Sequence, residues 1–116
     1  MNINVTFRNL ETTQALKDYS IGKLEKVRKV LVKPLEANVV LSVERHNHIA
    51  EVSVSAKDVS FNGSEKSEDM YAAIDLVMDK VERQARRYKE RMKQKKGRSS
   101  HRDQPTMEDT TDEYMS

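Results

Sequence analysis

The chain contains no cysteine, which excludes a disulfide framework, a thiol nucleophile and every cysteine-based zinc site. It has no tryptophan and only 5% aromatic residues, so Val, Ile, Leu, Ala and Met must build a small core. No apolar run approaches the ~18 residues of a membrane-spanning helix, and the opening Met1-Asn2-Ile3-Asn4-Val5-Thr6-Phe7 lacks the basic-then-apolar layout of a signal peptide. The expectation is a soluble, cytoplasmic protein with no membrane partner. At 116 residues there is room for one core and a tail.

What the chain has in abundance is charge, and it is segregated. The net charge of +2 hides balances of −2 over residues 1–79, +9 over 80–102 and −5 over 103–116. A dense basic block followed by an acidic tail points to a polyanionic partner if the basic block is folded.

Ile3, Val5 and Phe7 alternate with polar residues, the pattern of a half-buried strand. From an N-cap at Thr12 or Thr13 the period becomes helical through Leu16, Tyr19, Leu24, Val27, Val30 and Leu31, and a helix is predicted to about Lys33, stopped by Pro34. Val39, Leu41 and Val43, then Ile49 or Ala50 to Ala56, read as an antiparallel hairpin with one wet face. A third short strand, Val59 to Phe61, is predicted to end at the loop chemistry of Asn62-Gly63-Ser64. Ser67 reads as the N-cap of a second helix whose apolar set, Met70, Ile74, Val77, Val81, Ala85, Tyr88 and Met92, spans about seven turns. Met70, Met78 and Met92 read as core filler. The fold class is α+β: a β-α-β-β-β-α two-layer sandwich with both helices on one face of a four-stranded sheet. Residues 1–96 form the domain, and the polar, acidic residues 97–116 are expected to stay disordered.

On the second helix Lys80, Arg83, Arg87 and Arg91 fall between about 220° and 300° of the helical wheel, an acid-free stripe beside the core face. Arg86 and Lys89 flank the other shoulder, with Asp79 and Glu82. The first helix adds Lys23, Lys26 and Lys29, which a side-by-side packing is expected to join to the stripe. A charged helix face is ordinarily just solvated, but a solubilising face mixes signs, whereas Arg83-Arg87-Arg91 are like charges at i,i+4 that a polyanion would relieve. DNA is disfavoured: no helix-turn-helix, basic-zipper or finger spacing is present, and on the second helix Gln84 is the amide suited to base-edge reading. Backbone and shape readout, the style of structured RNA, fits better.

Catalysis finds no support. The carboxylates scatter, no Gly-rich phosphate loop is present, and no Ser or Thr sits in a nucleophile motif. His46 and His48 lack the third ligand a metal site needs. The reading is a non-enzyme without metal, cofactor or small-molecule substrate.

Glu68-Asp69-Met70-Tyr71-Ala72-Ala73-Ile74-Asp75, then Asp79-Lys80-Val81-Glu82-Arg83-Gln84 and Tyr88-Lys89, closely resemble the signature of the ribosome hibernation promoting factor and ribosome-associated inhibitor (protein Y) family. Asn2-Ile3-Asn4-Val5, Gly22-Lys23-Leu24-Glu25-Lys26-Val27 and His48 before Glu51-Val52 also fit it, so the resemblance covers about residues 1–96. It implies a fold like a double-stranded-RNA-binding domain. It also implies binding to the small ribosomal subunit between head and body, where messenger RNA and tRNA anticodon stems lie, so that translation is inhibited under stress or in stationary phase and idle whole ribosomes are protected. The implied rRNA-facing residues are Lys23, Lys26, Lys29, Lys80, Arg83, Arg86, Arg87, Lys89 and Arg91; His48 reads separately, in place of a metal ligand, as a hairpin residue beside the RNA. With about twenty polar residues after Lys96, the chain resembles a short form, a monomer without the domain by which long members pair ribosomes; its acidic tail is similar to that of the protein Y type. The family's association with an alternative sigma factor supplies the other reading, a protein-binding adaptor using the basic helix face and the acidic tail.

Overall fold

The computed structural model describes residues 1–31, 33–95 and 106–107. The elements are β1 (Asn2–Arg8), α1 (Gln14–Arg28), β2 (Pro34–Glu44), β3 (Asn47–Ala56), β4 (Val59–Ser67), α2 (Met70–Lys95) and β5 (Thr106–Met107). Through α2 this is the β-α-β-β-β-α order the periodicities predict. The sheet order is β1-β2-β3-β4-β5. β1 runs parallel to β2 from Asn2↔Glu36 to Arg8↔Ser42, and β2, β3 and β4 form an antiparallel meander.

One strand face is apolar and covered. Ala37, Val39 and Leu41 of β2, Ala50, Val52, Val54 and Ala56 of β3 and Phe61 of β4 are buried. With the exception of Ala56 they join one core cluster with Leu16, Leu24, Val27 and Val30 from the α1 region and Met70, Ala73, Ile74, Val77, Met78, Val81 and Ala85 from α2. Both helices therefore lie on the same face, the only arrangement that takes the apolar half of a single sheet out of water. Ile3, Val5 and Phe7 of β1 pack at the margin, half-buried.

Four local expectations are corrected. α1 ends at Arg28, not Lys33. Lys29 caps it, and Val30 N and Leu31 N donate to the Val27 and Arg28 carbonyls in a tightened last turn. Val30 stays buried although it lies outside the helix, which is why its helical spacing misled, and Pro34 opens β2 where no N–H is required of it. β4 runs straight through Asn62-Gly63-Ser64 to Ser67. Gly63 there serves close approach: a Cβ would stand 3.2 Å from Lys80 Cδ and 3.5 Å from Val77 Cγ2, so α2 presses on the strand at this point. The N-cap of α2 is Asp69, whose Oδ2 accepts from Ala72 N, while Ser67 Oγ accepts from Asp69 N. Met92 is 44% exposed, whereas Met70 and Met78 are buried as core filler. Thr13, by contrast, does cap α1 through Leu16 N.

Of residues 97–116, expected to be disordered, Thr106–Met107 fall among the described residues and form a two-residue strand parallel to β4. The remainder of that segment lies outside the described residues.

Gly22 sits exposed in α1 with nothing within 4 Å of a would-be Cβ. Gly22→Ala is expected to stabilise the domain by about 0.4–1 kcal/mol, because the unfolded chain loses freedom that the helix does not need. Thermal unfolding of the two proteins checks this.

Candidate nucleic-acid interface

The helical layer carries the cations, and the packing of α1 on α2 decides which of them meet. Tyr19 of α1 stacks edge-on against Tyr71 of α2 at 4.9 Å between ring centroids, and its Oη donates to Asp75 Oδ1 at 2.5 Å. Lys23 Nζ reaches the same carboxylate at 3.1 Å. One α2 acid thus collects two α1 partners and fixes the rotation of the helices about each other. The hydrogen bond from Tyr19 is the main reason the Asp75 pKa is lowered, with Lys23 adding to it against some desolvation. The same contacts raise Tyr19 and Lys23.

Further along, Lys26 and Lys29 of α1 and Arg86 and Lys89 of α2 converge with Glu82 and Val30 around a shallow cavity of about 260 Å³. Arg86 Nη2 pairs with Glu82 at 2.8 Å, one turn back on the same helix. Lys26, Lys29 and Lys89 form no ion pair among the described residues and are exposed. Four positive charges against one negative at a concave seam make a focused positive potential matched to phosphate oxygens.

The Lys80, Arg83, Arg87 and Arg91 stripe lies on the other flank of α2, towards β4. Lys80 pairs with Glu65 of β4, and between them Gln84 Nε2 donates to the Asn62 carbonyl at 2.9 Å. The expected fusion of this stripe with the α1 lysines is therefore corrected. α1 docks on the shoulder bearing Asp75, Glu82, Arg86 and Lys89, where Asp75 takes both Tyr19 and Lys23 of α1. The seam cluster and the stripe are two basic patches separated by the solvent-facing ridge of α2. Gln84 is 3% exposed and committed to the Asn62 carbonyl, so the single amide suggested for base reading is withdrawn into the core. Arg83, Arg87 and Arg91 are exposed.

His46 lies exposed in the β2–β3 turn, while His48, on β3, is half-buried with its Nδ1 lacking a partner among the described residues. The described residues contain no cluster of three or more His, Cys, Asp or Glu suited to a metal ion and no helix long and apolar enough to cross a membrane. A second, mainly apolar cavity of about 370 Å³ opens where Val30, Leu31, Val59, Tyr88 and Met92 meet. Sequence periodicity hid this cavity because it placed Met92 in the core.

A prediction follows from the Asp75 cluster. A depressed carboxylate pKa contributes stability that is fully present above the ordinary value of about 3.9 and is lost as pH falls through the lower folded value. The raised Lys23 and Tyr19 act oppositely, losing their contribution as pH rises through folded values above the ordinary ones near 10. The stability gap between the parent and Asp75→Asn is expected to be flat near neutrality and to close both in strong acid and in strong base. Urea midpoints against pH read it.

The fold and the placement of charge define a class: a two-layer α+β domain with a cationic helical layer above a sheet whose other face is polar. The chain belongs to the Sigma 54 modulation protein / S30EA ribosomal protein family, whose model matches residues 3–93. It is 35% identical over 94 residues to the ribosome hibernation promoting factor of Salmonella typhimurium, and 33% to that of Escherichia coli K12; each match covers 81% of this chain and 99% of the relative. The crystal structure of the Thermus thermophilus protein Y N-terminal domain superposes with a TM-score of 0.71 at 37% identity, covering 76% of this chain and 99% of that one. A ribosomal subunit interface protein from Coxiella burnetii, at 22% identity and a TM-score of 0.68, shares the fold.

Proposed function

We propose that this protein is a ribosome hibernation factor: it binds the small ribosomal subunit in the channel used by messenger RNA and tRNA, blocks translation under stress or in stationary phase, and so protects idle ribosomes. The observation that carries the reading is the seam of Lys26, Lys29, Arg86 and Lys89, where two helices present four cations around one concavity. Such a surface suits a fixed arrangement of phosphates rather than a base sequence, since rRNA is recognised by shape and backbone. The relatives named ribosome hibernation promoting factor, matched over nearly their whole length, support it. Lys80, Arg83, Arg87 and Arg91 extend the contact to the second flank, and Lys23, held by Asp75, positions the seam more than it supplies charge.

Sucrose-gradient sedimentation of ribosomes with the purified protein tests this at low and moderate salt. Co-migration with small subunits and whole ribosomes that fades as salt rises is the expected result. If about 6–10 phosphates are contacted, affinity falls by ~10³–10⁵ across that range. A protein that stays at the top of the gradient at every salt overturns the reading and favours a protein-binding adaptor.

A further inference from the structure

β5 gives the acidic tail a direction. Thr106 and Met107 pair in parallel with Ser60 and Phe61 on the outer edge of β4. A chain continuing past Met107 along that edge heads towards Asn62 and Glu65, the strand positions that α2 contacts through Gln84 and Lys80. Residues 108–113 read Glu-Asp-Thr-Thr-Asp-Glu, four acids in six positions. The flank they are led to carries Arg83 and Lys80 and belongs to the helix that presses on β4 at Gly63, while Arg87 and Arg91 lie further along α2, beyond Gln84 at the Phe61 end. A second observation marks the same spot. Gln84 is buried, and its Oε1 has no hydrogen-bond partner among the described residues while its Nε2 is spent on Asn62, the residue directly after the last β4–β5 pair. A buried acceptor of this kind calls for a donor.

We propose that the segment Glu108–Glu113 of the same chain docks on the β4-facing flank of α2, tethered by β5, with its carboxylates over Arg83 and its neighbouring cations and a backbone N–H supplied to Gln84. The flank is then self-screened, while the α1–α2 seam stays open, so the tail competes with polyanion for one of the two basic patches. The competition, though not the docking, rests on the polyanion-binding reading above.

The absence of cysteine makes the test direct, because one introduced cysteine takes one label. In full-length protein with Thr110→Cys carrying a nitroxide, the expected result at low salt is paramagnetic broadening of the Lys80, Arg83 and Arg87 amides. The Lys26 and Lys29 amides should be spared, and high salt should reduce the effect. Adding Thr106→Pro and Met107→Pro, which remove the N–H groups β5 has to offer, should abolish it. No broadening, or broadening that survives the prolines, overturns the docking. Broadening transferred to an unlabelled copy in a mixed sample overturns the assignment to the same chain. For the competition, neutralising Glu108, Asp109, Asp112 and Glu113 to their amides should tighten binding of a short double-stranded RNA about threefold to tenfold at low salt, with the gain lost as salt screens it. Unchanged RNA affinity in a protein that shows the broadening overturns the competition alone. Because the broadening is read on the protein by itself, it stands or falls independently of whether ribosomes bind.

Discussion

Changing Lys26, Lys29 and Lys89 together to glutamate is expected to lower the affinity for ribosomal particles by about 10²–10³-fold and to reduce the slope of log affinity against log salt by about three. The three side chains are exposed, come from both helices and border one cavity with Arg86. Each reversal removes a phosphate contact and adds a like-charge clash at the same place. The fold should not notice. None of the three is ion-paired among the described residues, and surface changes of this kind shift stability by roughly 0.5 kcal/mol or less each. Filter binding or gradient co-sedimentation, with a melting curve as control, decides it. Intact binding would move the contact off the seam; the parallel triple Arg83→Glu, Arg87→Glu and Arg91→Glu then shows whether the β4-facing flank carries it.

The second large effect lies in the core. Phe61 is completely buried, at 5.8 Å and 73° from the Tyr88 ring, and opposite Val54 on β3. Phe61→Ala is expected to cost about 3–5 kcal/mol, the sum of lost burial and a cavity that a sheet pinned by α2 cannot close. Against the roughly 5–15 kcal/mol that holds a typical domain together, this is from about a fifth to all of the stability. In urea the midpoint should fall with the slope unchanged, and Phe61→Leu should recover most of the loss. A small effect would mean that the sheet edge relaxes around the gap.

Alternation and helical spacing exposed the element order, the single covered face and the α2 core positions, because burial on one side of a strand or helix writes directly into residue type. Ends were less legible. Val30 is buried from a turn and so imitates another helical position, and Gly63 looks like a loop residue until α2 is seen lying against it. The cations were all visible as charges, yet their grouping was not. The sequence cannot say which shoulder of α2 receives α1, and that choice turns on Asp75, a residue that attracted attention only as part of a motif. Gln84 misled for a related reason: an amide beside arginines looks available until the tertiary structure turns it inward.

The parallel pairing of β1 with β2 has a consequence for how the molecule assembles. Paired residues there stand 34 positions apart, as Asn4 and Asn38 do, whereas β2, β3 and β4 join through turns of two residues. Among β1 to β4, closing this crossover carries most of the loop-entropy cost, so the meander and α2 can form a partial sandwich before β1 is added. During synthesis the first strand made is then the last of these four to find its place: it leaves the ribosome early and waits for β2, more than twenty residues behind. A protein proposed to silence ribosomes thus acquires its complete form only after most of its own chain has been translated.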